Sequence, residues 1–211
     1  MNTRLLFAPL LVSALAFGCE DPAKGKVKAQ TGEAQQASTA APSAGAKTYR
    51  FDAASGSKLD WVGAKVTRKH EGTFKSFNGA IQVDPAAPEK GKVDVEIETA
   101  SLYTADGDRL LNHLKSADFF DVATYPKATF ASTDVKKAGE DWTITGNLTL
   151  HGVTKSITFP AKVKVGDAGV DADAEFAINR KDFGMAYPGA ADDLIRDDVV
   201  NKLSIHSKAS S

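Results

Sequence analysis

The chain is 211 residues long, with 26 Lys and Arg against 27 Asp and Glu. A net charge of −1 and no long basic stripe exclude a nucleic-acid binder built on phosphate neutralisation. Cys19 is the only cysteine, which excludes an internal disulfide.

Residues 1–18 carry one early charge, Arg4, then an apolar run from Leu5 to Phe17, then the small residue Gly18. That is the layout of a secretory signal, and the run is too short to span a bilayer comfortably. A lone cysteine directly after such a segment resembles the lipobox of bacterial lipoproteins, with Ala16 standing where that pattern most often has Leu and Leu15 one place early. The resemblance implies cleavage before Cys19, a lipid on its sulfur, and a place on the periplasmic side of the bacterial envelope, anchored to the membrane. With simple secretion instead, Cys19 is a free thiol. Residues 19–46 are rich in Ala, Gly, Ser, Thr, Gln, Pro and Lys, with Val27 the only large aliphatic side chain. This composition predicts a disordered tether whose reach is about 30 Å.

Residues 47–211 have the length of one domain, and their dominant period is two. Leu59 to Val66 and Thr73 to Val83 read as the first strands, the second carrying Phe74 and Phe77. In Lys92 to Thr99, Val93, Val95 and Ile97 alternate with Asp94, Glu96 and Glu98, the pattern of a strand with one wet face. Ala128 to Val135 follows, with Phe130, and then Trp142 to Leu150, where Ile144, Leu148 and Leu150 oppose threonines. Ile157 to Val165 places Phe159, Ala161 and Val163 on one face; the next strand does the same with Ala172, Ala174, Phe176 and Ile178. Val199 to Ser207 completes eight predicted strands, most of them joined by short gaps carrying Gly, Asp or Lys.

One connection differs. From Asp106 to Pro126, Leu110, Leu111 and Leu114 recur at helical spacing, and Phe119 and Phe120 follow. A segment this apolar has to lie against something, so it is predicted as a short helical lid over the end of a sheet or barrel.

Eight antiparallel strands with one dry face each pair as a sandwich or close as a barrel. Closure removes the edges, and an eight-stranded barrel of the lipocalin type holds one small ligand. Gly146, Ala161, Ala172 and Ala174 are small for inward positions, which leaves two readings open: a hollow apolar interior, or one plugged by the helix and its phenylalanines.

The segments HEGTFKSFNG (His70 to Gly79), LLNHLKSADFFDVATYPKATF (Leu110 to Phe130), GNLTLHGVTK (Gly146 to Lys155) and INRKDFGM (Ile178 to Met185) resemble the YceI-like family of bacterial envelope proteins, in the family's order. The resemblance implies an all-β, lipocalin-like antiparallel barrel with a long apolar cavity for an isoprenoid chain, such as that of a quinone or a polyprenyl intermediate. It implies a periplasmic setting, and the N-terminal tether adds a membrane-held form. The expected partner is a long-chain isoprenoid lipid, with no cofactor besides that lipid.

The expected tail contacts are the dry-face residues Val93, Val95, Ile97, Ile144, Leu148, Phe159, Val163, Phe176 and Ile178. Phe74, Phe77 and Phe130 join them, as do Leu110, Leu114, Phe119 and Phe120 of the lid segment. Arg109, beside Asp106 and Asp108, and Arg180, two places before Asp182, are read as ion pairs fixing the lid and a turn, or as contacts to a polar head group. No catalytic motif is present, and His70, His113, His151 and His206 lack ligand spacing, so neither an enzyme nor a metal site is expected. His151, before Gly152, reads as an exposed hairpin residue, and Asp192, Asp193, Asp197 and Asp198 as a solvated loop. The competing reading of the domain is a tethered scaffold with a filled barrel.

Overall fold

Alternating apolar and polar side chains shape the backbone of the computed structural model, which describes residues 20–36, 43 and 45–209. Cys19 and the signal segment lie outside the described residues. In chain order the strands are β1 (Gln30–Glu33), β2 (Lys47–Asp52), β3 (Lys58–Ala64), β4 (Lys69–Phe74), β5 (Phe77–Val83), β6 (Lys92–Glu98) and β7 (Leu102–Thr104). Helix α1 (Asp108–Lys115) follows. Then come β8 (Lys127–Ala138), β9 (Asp141–Leu150), β10 (Val153–Val165), β11 (Val170–Asn179), the short pair β12 (Gly189–Ala190) and β13 (Asp193–Leu194), β14 (Asp198–His206) and β15 (Lys208–Ala209).

The sheet runs β2, β5, β6, β8, β9, β10, β11, β14, β3, β4, β7, with β15 beside β2. Four pairs of these strands are halves of bent ribbons: β2 with β3, β4 with β5, β6 with β7, and β14 with β15. β14 pairs with β3 and β15 with β2, so the last ribbon returns to the first. The result is an all-β, up-and-down antiparallel barrel of eight ribbons: the periodicity predicts the eight strands, and the family resemblance implies the barrel. The first predicted ribbon began too late, since β2 precedes Leu59 and buries Tyr49 and Phe51.

Glycines let aromatic rings lie flat on the inner surface. Trp61 covers its cross-strand partner Gly72, and Phe51 covers Gly79. The Phe130 ring occupies the space over Gly146, so that small residue does not hollow the interior. A bulge in β8 between Ser132 and Asp134 switches the parity of the inward side chains, from Ala128 and Phe130 to Val135.

The predicted disordered tether is corrected by residues 20–36, which lie across the outside of the barrel. β10 and β11 share only the ladder from Lys162↔Asp173 to Val165↔Val170 and then part. The N-terminal segment fills the parting. β1 pairs with β10 from Thr158 to Lys155, while the Ala29 N–H donates to the Ala177 carbonyl and the Ala177 N–H to the Val27 carbonyl. Backbone groups that two splayed strands leave unpaired need partners, and a polar segment supplies them without a hydrophobic face of its own. Ion pairs fasten it: Asp21–Arg196 at 3.2 Å, Lys26–Glu175 at 2.9 Å, Lys28–Asp198, and Glu33–Lys155 at 2.7 Å. Ala23 joins Val62, Ala177 and Val200 in a small cluster on the barrel's outer face.

Candidate functional site: an apolar cavity in one half of the barrel

The interior divides into two halves. Near the helix, Leu150, Ile157, Phe176, Ile178, Phe183 and Met185 form a filled core. Toward the other end lies a cavity of about 130 Å³. Its wall is apolar and drawn from most of the ribbons: Phe51, Leu59, Ile81, Val83, Val135, Trp142, Val165, Val170 and Ile205 among others, with Pro88, Gly91 and Lys92 at one edge. An engineered apolar cavity of about 150 Å³ stays dry and accepts benzene, so this one has room for roughly one or two isoprene units. The long cavity implied by the family resemblance is therefore short in this conformation, because stacked aromatic rings occupy the helix-side half. Phe159 and Phe176 lie 4.1 Å apart at 15°, and Phe130 stands 5.8 Å from Phe159.

Of the predicted tail contacts, Val93, Val95, Phe130, Ile144, Phe159 and Val163 line the cavity. Phe77 is buried in the neighbouring cluster with Tyr49 and Phe51. Ile97, Leu148, Phe176 and Ile178 belong to the filled core or pack against it. Ala161, Ala172 and Ala174, singled out as small, do stand on the cavity wall. The wall residues that sequence reasoning missed include Phe51 on β2, Leu59 on β3, Ile81 and Val83 on β5, Val135 on β8, Trp142 on β9, Val165 on β10, Val170 on β11 and Ile205 on β14, and alternation along Tyr49-Arg50-Phe51 and Ser204-Ile205-His206 carried part of that signal.

The predicted lid closes the opposite end. Helix α1 lies beside β7, and Leu110 and Leu114 are only half-buried on it. Phe119 is buried edge-on against His113 and Tyr187, and Phe120 packs edge-on against Phe74 at 5.6 Å. These rings plug the helix end and do not reach the cavity wall.

Both arginine readings change in detail. Asp106 accepts from Arg68 at 3.0 Å and has His70 Nδ1 at 2.8 Å, while Arg109 is exposed. The helix is thus fixed through residues of β4 and the turn before it. Arg180 is 3% exposed and turns to Asp197, 3.2 Å away, with no pairing to Asp182. Its guanidinium also donates to the carbonyls of Met185, Arg196 and Ile195. Burial lowers its pKa from the ordinary arginine value, with Asp197 opposing. The acidic stretch is likewise more than a solvated loop: Asp193 pairs with Lys65, Asp197 with Arg180 and Lys181, and Asp198 with Lys28. His151 is half-buried, with Nδ1 3.1 Å from the Phe183 carbonyl and its ring against Tyr125. The two-residue turn at His151 and Gly152, both at positive φ, suits a tight hairpin.

The Asp106 carboxyl is held below the usual carboxylate range by its hydrogen bond to His70, assisted by Arg68 and opposed by burial. A depressed carboxylate contributes its full stability above the unfolded value, about 4, and loses it as pH falls through the lower folded value. Protection of the Asp108–Lys115 amides, measured against their intrinsic exchange rates at each pH, is therefore expected to fall on acidification below about pH 4, ahead of the barrel strands. Asp106→Asn should remove that pH dependence; an unchanged profile in the variant would refute the anchor.

Among the described residues no group of three or more His, Cys, Asp or Glu is placed to hold a metal, and no helix is long and apolar enough to cross a membrane. The model of the YceI-like domain matches residues 49–207. A UPF0312 protein of Pseudomonas putida (strain W619) is 43% identical over 135 residues, which is 61% of this chain and 70% of that protein. BcnA of Burkholderia cenocepacia has a similar structure, with a TM-score of 0.67 and 28% identity over 74% of this chain and 98% of its own. A polyisoprenoid binding domain from Saccharophagus degradans, implicated in plant cell wall breakdown, shares the fold at a TM-score of 0.61 and 19% identity, covering 76% of this chain and 98% of its own. With the barrel closed as that fold requires and the domain matched over nearly its whole length, the chain belongs to the YceI-like family.

Proposed function

We propose that the barrel binds the apolar chain of an isoprenoid-type or similar amphiphile, for carriage or sequestration at the periplasmic side of the envelope, with a lipid on Cys19 holding it to the membrane. The carrying observation is the cavity: a closed barrel encloses space whose wall is almost wholly hydrocarbon. The binding domain from Saccharophagus degradans, built on the same fold, supports a polyisoprenoid ligand. The proposed role is binding, because the cavity wall is almost wholly hydrocarbon, with Lys92 and Asp173 its charged members.

Burial of each CH₂ from water is worth about 0.8 kcal/mol, but a lipid tail that starts in a bilayer is already dry. Selectivity then rests on cavity shape and on the head group. The filled helix-side half favours a second reading, a scaffold that needs no ligand. Native mass spectrometry of the full chain purified from its own membranes separates the two, since only the first reading gives a stoichiometric lipid adduct. Val163→Phe should fill the cavity, lose the adduct, and weaken binding of decylubiquinone by about tenfold or more while stability stays the same or rises. Unchanged decylubiquinone affinity in that variant would count against the cavity as the site.

A further inference from the structure

The barrel wall is breached at one place. Beyond the Lys162↔Asp173 pair the β10–β11 ladder stops, and Pro160, which has no N–H to donate, follows on β10. The N-terminal segment resumes pairing only at Thr158 and Ala177. Between these points is a window a few residues wide. Its frame is small: Ala161 and Ala174 face each other across it, with Leu203 behind and Asp173 at the rim. These four residues line both the inner cavity and a separate groove on the outside of the barrel. The Phe159–Phe176 stack, one ring from each parting strand, lies across the gap from within.

We propose that this window is the route by which an apolar chain enters and leaves the cavity, with the Phe159–Phe176 stack as its gate and the outer groove as the seat of the head group. The inference rests on the reading that the cavity holds a hydrocarbon chain. It accounts for two features that reading leaves aside. The helix end is plugged by its own rings, so a tail has no path there. The Phe159–Phe176 rings also separate the hollow half from the filled one, so parting them both opens the window and lengthens the cavity. A chain longer than the resting space is admitted by the same movement. The outer groove carries Asp60, Asp141 and Asp173 against Lys162 and Lys202, with Glu175 paired to Lys26. This excess of carboxylates selects an uncharged polar head group over a phosphate.

Trp142 stands on the cavity wall, so quenching of tryptophan fluorescence by decylubiquinone reports occupancy in stopped flow with the full chain. Ala174→Phe obstructs the frame and should slow association by about tenfold. Phe176→Leu removes one gate ring and should speed association and dissociation together by severalfold. If Ala174→Phe does not fold, Phe176→Leu alone decides. Wild-type rates in both variants, with wild-type binding intact, would overturn the window and leave the cavity reading standing. No quenching in the wild-type protein at any concentration would overturn both. Decyl phosphate, competing for the same site, should bind more weakly than decylubiquinone; equal affinity would overturn the head-group assignment.

Discussion

Replacing Arg180 with Met is expected to lower the free energy of unfolding by about 3–5 kcal/mol. The guanidinium is almost wholly buried and gathers three backbone carbonyls, of Met185, Ile195 and Arg196, together with the Asp197 carboxylate. Each bond to a charged donor is worth more than a neutral one, and its removal leaves acceptors that water does not readily reach. Methionine fills the volume, so the loss isolates the hydrogen bonds. At this chain length the change corresponds to a fall in Tm of roughly 10 °C. Urea unfolding measures it, and a loss below about 1 kcal/mol would show the network to be dispensable. Arg180→Lys should recover little, because a single ammonium does not match the planar fork.

Gly72→Ala should cost about 3 kcal/mol, although it adds one carbon. A Cβ at that position would overlap the Trp61 ring and the Tyr103 carbonyl oxygen together. A side chain alone yields by changing rotamer, but this oxygen belongs to the β4–β7 ladder and has no room to retreat. Gly63→Ala in the adjacent strand is the control, since its Cβ meets only the edge of Trp61 at 3.9 Å. Thermal melting of the two variants decides the point, and equal melting temperatures would mean that the close approach of Trp61 imposes no constraint.

Period-two alternation made the strands legible because every ribbon buries one face and wets the other, while the choice of barrel over sandwich came from the family resemblance. It also told which side chains face inward. What it did not tell is which half of the interior is hollow. That depends on where the Phe130 ring goes, over Gly146, and on how Phe159 and Phe176 stack. The β8 bulge breaks the alternation, which would otherwise have turned Val135 to the face opposite Phe130. The outer segment was illegible for another reason. Gln30-Thr-Gly-Glu33 has no apolar face, and its place is fixed by backbone groups left open elsewhere and by charges such as Lys155 and Glu175. Arg180 misled because Asp182 is near in sequence, whereas the carboxylate that reaches it arrives from the turn before β14.

The meeting of the first and last ribbons bears on how this chain acquires its shape. Contacts between β14 and β3 join residues far apart in sequence, and loop-closure entropy makes such pairings late and slow. Until they form, β3 and β14 are both bare edges, and the greasy inner surface is open to any neighbour. A nascent copy therefore passes through a period in which association with other copies competes with self-closure. Dilution, or a holdase that shields the unfinished sheet, would raise the yield of native molecules.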